Sequence, residues 1–299
     1  MSRFPVAWIL MMLILCPVDS AYSSEFYQWT DENGVTHFAN SLGDVPEKYR
    51  HLVKVLGSDL DPETTGGQGA ATNDRSANKA PTLPAGDESG QLKQFEIPYQ
   101  AYEGSARRVI IPVTFNDRVT VPMALDTGSP GMVISFELAA QLGVFSRDRG
   151  TLLIEAAGIG GVQPAILTII DVVSVEDVRD AFVPTTVTAS VSDAFEGLIG
   201  MDFLTNYMIS IDSQKQMLVF QETPPSQDSR GGHDEAWWRK TFSEFRAARD
   251  HWKQLAEAVD GGLGTNAAGF AEFQAREAER LLQRLDGYAS DSAVPRHWR

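Results

Sequence analysis

The stretch "VPMALDTGSPGM", residues 121–132, decides how the chain is read. Pro122 to Leu125 form an apolar strand end, so the Asp126 carboxylate emerges at the edge of a core. Gly128 lacks a Cβ and lets the chain turn sharply, which aims backbone N–H groups back at that carboxylate. Thr127 and Ser129 add hydroxyls around it. Taken alone, the tetrad is also what an ordinary turn after a strand looks like. Acid–base chemistry needs a matching second half and a second carboxylate.

The second half is "FEGLIGMDFLTNYMISID", residues 195–212. Leu198-Ile199-Gly200 is followed by a short helix signal and then a strand, which repeats the logic of apolar pair, glycine turn, helix. The residues "ALDTGSPGMVIS" and "LAAQLGV", followed by "GLIGMDFLTNYMISID", resemble the retropepsin-like aspartic peptidases, the bacterial single-lobe members above all. The resemblance spans residues 93–222. It implies a mainly β fold, the closed barrel of the acid proteases, with Asp126 as the catalytic aspartate. It also implies that the Thr127 hydroxyl braces the partner loop and that Gly128 lies beside the catalytic water. "AAGIGG", residues 156–161, falls where the family has its flap, so Ala157, Gly158, Ile159 and Gly160 are the expected substrate-covering residues; glycines suit a hairpin that opens and closes. Leu198, Ile199 and Gly200 are implied to be structural, the loop that crosses the first to make a ψ-shaped core. Asp202 is expected to hold loops. Pro130-Gly131 departs from the small pair common after the tetrad.

No second Asp-Thr/Ser-Gly occurs; Asp212-Ser213 is followed by Gln214. The second carboxylate is therefore expected from another copy of the chain, with two Asp126 side chains facing across a twofold axis. Like charges that close cannot both ionise, so the pair holds one proton. Two readings follow. One is an aspartic endopeptidase acting on a peptide or protein substrate as a homodimer. The other is a non-catalytic retropepsin-fold module that binds a peptide or cell-envelope partner.

The rest of the chain brackets this domain. Within 93–222, "QFEIPYQA", "RRVIIPVTF", "RVTVPMAL", "ILTIIDVVSV", "FVPTTVTAS" and "QMLVFQ" read as strands. Ser135 before "FELAAQL", with Gly143 beyond it, reads as one helix. Residues 232–299 change period. Trp238, Phe242, Phe245, Trp252 and Leu255 recur at helical spacing, as do Ala271, Ala275, Ala278, Leu282 and Leu285, with "GGLGTN" between the sets. This predicts a helical hairpin over 232–299, with Trp298 as a candidate anchor. Residues 24–57 predict a small β module: "EFYQWT" and "VTHFAN" alternate around the turn "DENG", and "VPEKYRHLVKVL" closes the unit. "FYQWTDENGVTHFAN" resembles a small secreted-protein module of unknown function, DUF4124, with Tyr27, Trp29 and Phe38 as its expected core. Residues 58–92, rich in Gly, Ser, Thr, Asp and Pro, read as a disordered linker.

"MSRFPVAWILMMLILCPVDSAYSS" reads as a signal peptide over 1–23. At about 1.5 Å per residue its apolar core reaches about 20 Å, short of a hydrocarbon layer of about 30 Å. No later segment approaches spanning length, so the expected location is periplasmic or secreted. The one cysteine, Cys16, lies in this leader, which leaves the mature chain without disulfides or a cysteine metal site. A formal net charge of -15 disfavours nucleic acid as a partner. The five histidines have no ligand spacing, so no metal is expected. No cofactor is expected either: Gln163 spoils a dinucleotide fingerprint in the glycine run, and Thr127 spoils a nucleophile elbow.

Overall fold

The computed structural model of the chain describes residues 26–39, 41–56, 93–103, 107–146, 150–158, 161–189, 192–204, 207–222, 229–260 and 265–299. The expected leader and linker lie outside these residues. Three short strands lead: β1 (Phe26–Thr30), β2 (Thr36–Ala39) and, after a 3-10 turn at Glu47–Leu52, β3 (Lys54–Leu56). Then come β4 (Gln94–Pro98), β5 (Gln100–Glu103), β6 (Arg107–Phe115), β7 (Val119–Leu125), β8 (Met132–Ser135) and helix α1 (Phe136–Gln141). The barrel continues through β9 (Leu152–Gly158), β10 (Gly161–Val175), β11 (Val178–Thr188), β12 (Gly197–Ile199), α2 (Met201–Leu204), β13 (Tyr207–Asp212) and β14 (Met217–Glu222). Two long helices, α3 (Glu235–Asp260) and α4 (Thr265–Asp291), end the chain with a 3-10 turn at Arg296–Trp298.

Eight strands run in the order β5-β6-β7-β12-β8-β11-β10-β9, and β10 also pairs with β6 through Val173 opposite Phe115. That extra pairing closes β6 to β12 and β8, β11 and β10 into a barrel, the architecture the resemblance implies. Closure leaves only β5 and β9 as outer strands of this sheet. Inside it Phe115, Met123, Ile134, Val173, Ile199 and Phe203 are fully buried. The "ND" at 116–117 makes the tight β6–β7 turn, both residues in the left-handed region at φ 50° and 55°. Ser135 caps α1: its Oγ accepts from the Leu138 N–H at 3.0 Å, and Gly143 ends the turn at φ 70°.

The predicted helical faces are the buried ones. Trp238, Phe242, Phe245 and Trp252 on α3, and Ala271, Ala275, Ala278, Leu282 and Leu285 on α4, pack on Leu152, Ile154, Leu167, Ile169 and Phe182 from β9 to β11. Trp298 is 5% exposed and packs in the same cluster.

The N-terminal unit does not stand as a separate sheet. Its strands extend a second sheet of order β3-β1-β2-β13-β14-β4, with Ile209 opposite Phe38 and Ile211 opposite Thr36. Trp29 makes a small core with Ala39 and Val45, and Tyr27 packs on it. Phe38, however, points away from that core and joins the barrel's own. A unit this small buries too little apolar surface to fold by itself and borrows a larger core. His37 Nδ1 and Ser210 Oγ, 2.7 Å apart, share a hydrogen bond that joins β2 to β13.

Candidate active site

Asp126 sits where three backbones meet. β7 changes along its length: Val119–Pro122 alternates in exposure, while Met123, Ala124 and Leu125 are buried. The strand thus dives between neighbours and delivers Asp126, half-buried, at its end. β12 lies parallel to β7 and antiparallel to β8, with Leu198 opposite both Ala124 and Val133. The two loops after β7 and β12 cross and are joined by backbone hydrogen bonds. Asp126 N–H donates to the Ile199 carbonyl at 3.0 Å, Met201 N–H to Ser129 O at 2.9 Å and Asp202 N–H to Pro130 O at 3.2 Å.

Glycines make the crossing possible. A Cβ on Gly200 would lie 2.3 Å from the Gly131 carbonyl oxygen, and one on Gly197 would lie 2.1 Å from that of Val133. The Pro130-Gly131 departure belongs to this contact, since Gly131 is the residue on which Gly200 rests. Gly128 N–H donates to Asp126 Oδ1 at 2.9 Å, which fixes one carboxylate oxygen from its own turn. Ser129 Oγ–H donates to Gly131 O at 2.8 Å and stiffens the loop. Thr127 is half-buried and Gly128 exposed beside it.

Two of the expected flap residues, Ala157 and Gly158, lie on β9, which pairs with β10. The two strands pair as far as Gly158 opposite Gly161, so the expected tip lies between them. Ile159 and Gly160 are outside the described residues; Ala157 and Gly158 close the outgoing strand. β9 is the sheet's outer strand, and α4 serves its outward N–H groups. Leu153 N–H donates to Gln274 Oε1 at 2.8 Å and Thr151 N–H to Glu277 Oε2 at 2.9 Å. Both side chains are buried, and Glu277 is also paired with Arg280. The root of the hairpin is therefore clamped to a helix.

A cavity of about 140 Å³ opens beside the Asp126 loop. Ser129, Pro130 and Gly131 form one side, Ile154, Ala156 and Leu167 from the hairpin another, and Asp202 lies within it. Thr241, Glu244 and Phe245 of α3 make the outer wall. Sequence reasoning put Phe245 on a helix face and singled out neither Thr241 nor Glu244, because a helix face gives no sign of which cleft it will border. It also missed Gln274 and Glu277, although two polar residues beside the Ala271–Ala275–Ala278 stripe are the kind of signal that marks a buried polar contact.

Asp202 accepts from Phe203 N–H at 2.8 Å and Met132 N–H at 3.3 Å, which ties α2 to β8 and fits the expected loop-holding role. Burial nonetheless pushes its carboxyl up to about 7. Asp180, on β11, is pushed up to about 7 by burial, with the Asp202 charge adding to it. Desolvation of its ring holds half-buried His233 down at about 4. The signs oppose. A raised carboxyl stabilises the fold below about pH 4 and loses that contribution as pH rises through 7; the lowered histidine loses its contribution as pH falls through 4. Asp180→Asn isolates one group, since the amide oxygen still accepts from Ala181 N–H, a 2.8 Å bond in the parent. The variant should gain on the order of 1–3 kcal/mol over the parent at pH 8 and nothing at pH 4. Calorimetric melting at the two values checks it.

Residues 111–206 match the family described as "gag-polyprotein putative aspartyl protease", and residues 10–85 match the domain of unknown function DUF4124. The retropepsin-like resemblance of the barrel and the resemblance of the N-terminal unit both stand on these matches. No curated protein matches the chain. Among solved structures, the chain is similar to a retropepsin-like aspartic protease from Rickettsia conorii, at 18% identity over 46% of this chain and 96% of that one, TM-score 0.34. It is similar to the EIAV protease complexed with the inhibitor HBY-793, at 20% identity over 35% and 91%, TM-score 0.28. A third is the retroviral protease-like domain of Ddi1 from Leishmania major, at 20% identity over 42% and 100%, TM-score 0.27. Among the described residues no helix is long and apolar enough to cross a membrane.

Proposed function

We propose that the chain is an aspartic endopeptidase that hydrolyses peptide bonds as a homodimer, exported to the periplasm or beyond. The observation that supports this most is the seating of Asp126: a half-buried carboxylate at the crossing of two loops, one oxygen held by Gly128 N–H at 2.9 Å. One chain supplies one such group. Two copies facing across a twofold axis give the pair that shares a proton. The ionised carboxylate takes a proton from water, which attacks the scissile carbonyl carbon. The protonated partner donates a hydrogen bond to the carbonyl oxygen. As the tetrahedral carbon collapses, the C–N bond breaks and the nitrogen takes a proton from the pair, which is left with one proton as at the start. By the family resemblance, Ala157, Gly158, Ile159 and Gly160 cover the substrate, and each Thr127 hydroxyl braces the other copy's loop.

The test is cleavage of casein and a peptide library across acid pH, with and without a statine-type mimic of the tetrahedral state, run beside analytical ultracentrifugation. Specific activity should fall on dilution through the dimer dissociation constant and return on concentration. The mimic should abolish it and shift the chain toward dimer. Constant specific activity from a chain that stays monomeric throughout defeats the shared site. No cleavage at any concentration favours the binding-module reading.

A further inference from the structure

We propose that helix α3 is part of the substrate site, and that the cavity it closes beside the Asp126 loop takes a lysine or arginine side chain of the peptide. This rests on the peptidase reading and extends it to a substrate class.

The geometry is the first reason. The cavity's inner side is Ser129, Pro130 and Gly131, the residues that directly follow the Asp126 turn. Its outer wall, Thr241, Glu244 and Phe245, comes from a helix more than one hundred residues later in the chain. Phe242, Phe245 and Trp238 are buried against the hairpin strands, so this wall is fixed and not a loose flank. An extended peptide advances about 3.3 Å per residue with side chains on alternate sides. A substrate whose scissile bond lies at Asp126 therefore places a neighbouring side chain at this cavity.

The chemistry of the lining is the second reason. Ile154, Ala156, Leu167 and Phe245 make an apolar throat. Among the described residues the lining carries two carboxylates, Asp202 and Glu244, and no basic side chain. A side chain with a hydrocarbon stem and a cationic end fits both parts at once: the stem lies on the apolar wall and the head reaches Glu244, with Asp202 joining as an anion only above about pH 7. A volume of about 140 Å³ suits one such chain. Among the described residues Asp202 accepts from the N–H groups of Phe203 and Met132, has Asp180 as its charged neighbour and is paired with no cation. Lys240 stands one helical turn before Glu244, its Nζ 3.6 Å away, and is not part of the lining. It competes for Glu244 from outside, which gives the proposal a second handle.

The experiment uses the full chain. Binding is read first, with Asp126→Asn to prevent turnover, against peptides in which each position in turn is Lys, Arg, norleucine, Met or Glu. At one position Lys and Arg should bind about tenfold tighter than norleucine, the size of one charge-assisted contact. In Glu244→Gln that preference should shrink to about threefold or less, and in Lys240→Gln it should grow. Both substitutions are on partly exposed side chains of a helix surface, and a melting curve confirms that each variant is folded. Cleavage by the unmutated Asp126 chain is then read on the same peptides. Selective binding without cleavage keeps the cavity assignment and overturns the peptidase reading. Cleavage with no Lys or Arg preference overturns the cavity assignment and keeps the peptidase. A preference that is indifferent to Glu244 and Lys240 also overturns it.

Discussion

Asp126→Asn is expected to lower peptide cleavage by about three orders of magnitude or more while the melting temperature holds or rises. The amide has the carboxylate's shape, and its oxygen still accepts from Gly128 N–H, a 2.9 Å bond in the parent. The Ile199 carbonyl is bonded by the backbone of residue 126 and is indifferent to the side chain. Geometry is thus kept and only the proton chemistry is lost, because an amide neither takes a proton from water nor returns one. In a dimer the change also removes the repulsion between two facing acids, so association should tighten. A cleavage assay run with a thermal melt on the same sample measures both halves. Activity close to that of the parent would sink the assignment of Asp126.

Gly200→Ala is expected to have the largest effect on stability. The new Cβ would lie 2.3 Å from the Gly131 oxygen, 2.6 Å from its carbonyl carbon and 2.7 Å from its nitrogen. All three are backbone atoms inside the loop crossing, so no side chain can swing aside. Relief means parting the two loops and losing the Met201–Ser129 and Asp202–Pro130 hydrogen bonds. The cost should exceed about 3 kcal/mol, a fall in Tm of roughly 6–12 °C or failure to fold. Gly269→Ala is the matched control. That glycine is inside α4 and a Cβ there would meet nothing within 4 Å, so the change should stabilise by about 0.5–1 kcal/mol. Denaturant unfolding of the pair tests the contrast; equal effects would mean the crossing is looser than its atoms indicate.

What could be read in advance was local. The apolar run into Asp126, the serine cap of α1 and the helical faces of α3 and α4 each depend on spacings within a few residues, and each lies where its spacing puts it. β8 and β9 were missed as strands. β8 is four residues, too short for a period to register, and "LLIEAAG" of β9 is held by a neighbour strand and a helix and not by any β-forming bias of its own. Long-range partners were not legible. Nothing in "VTHFAN" announces that Phe38 will sit opposite Ile209, or in α3 that Glu244 will border a cavity begun by Ser129. Such pairs are decided by how surfaces fit once the barrel has closed. The candidate site divides in the same way. Asp126, Gly128 and Gly200 were visible because tight turns restrict residue type, whereas Asp180 falls between two predicted strands, where nothing marks the burial that raises its carboxyl.

The position of β3 and β4 has a consequence for the integrity of the polypeptide. They lie at opposite rims of one six-stranded sheet, about 24 Å apart at 4.8 Å per strand step, and residues 57–93 join them. A cut anywhere in that connection would not free a domain. It would leave two polypeptides that share a sheet, held by the β2–β13 ladder, the His37–Ser210 hydrogen bond and the ring of Phe38 lodged in the other piece's core. Their union would change from intramolecular to bimolecular and become subject to dilution, since the tether that supplied a local concentration on the order of millimolar is gone. The protein is in this sense already a split pair, kept whole by one stretch of chain.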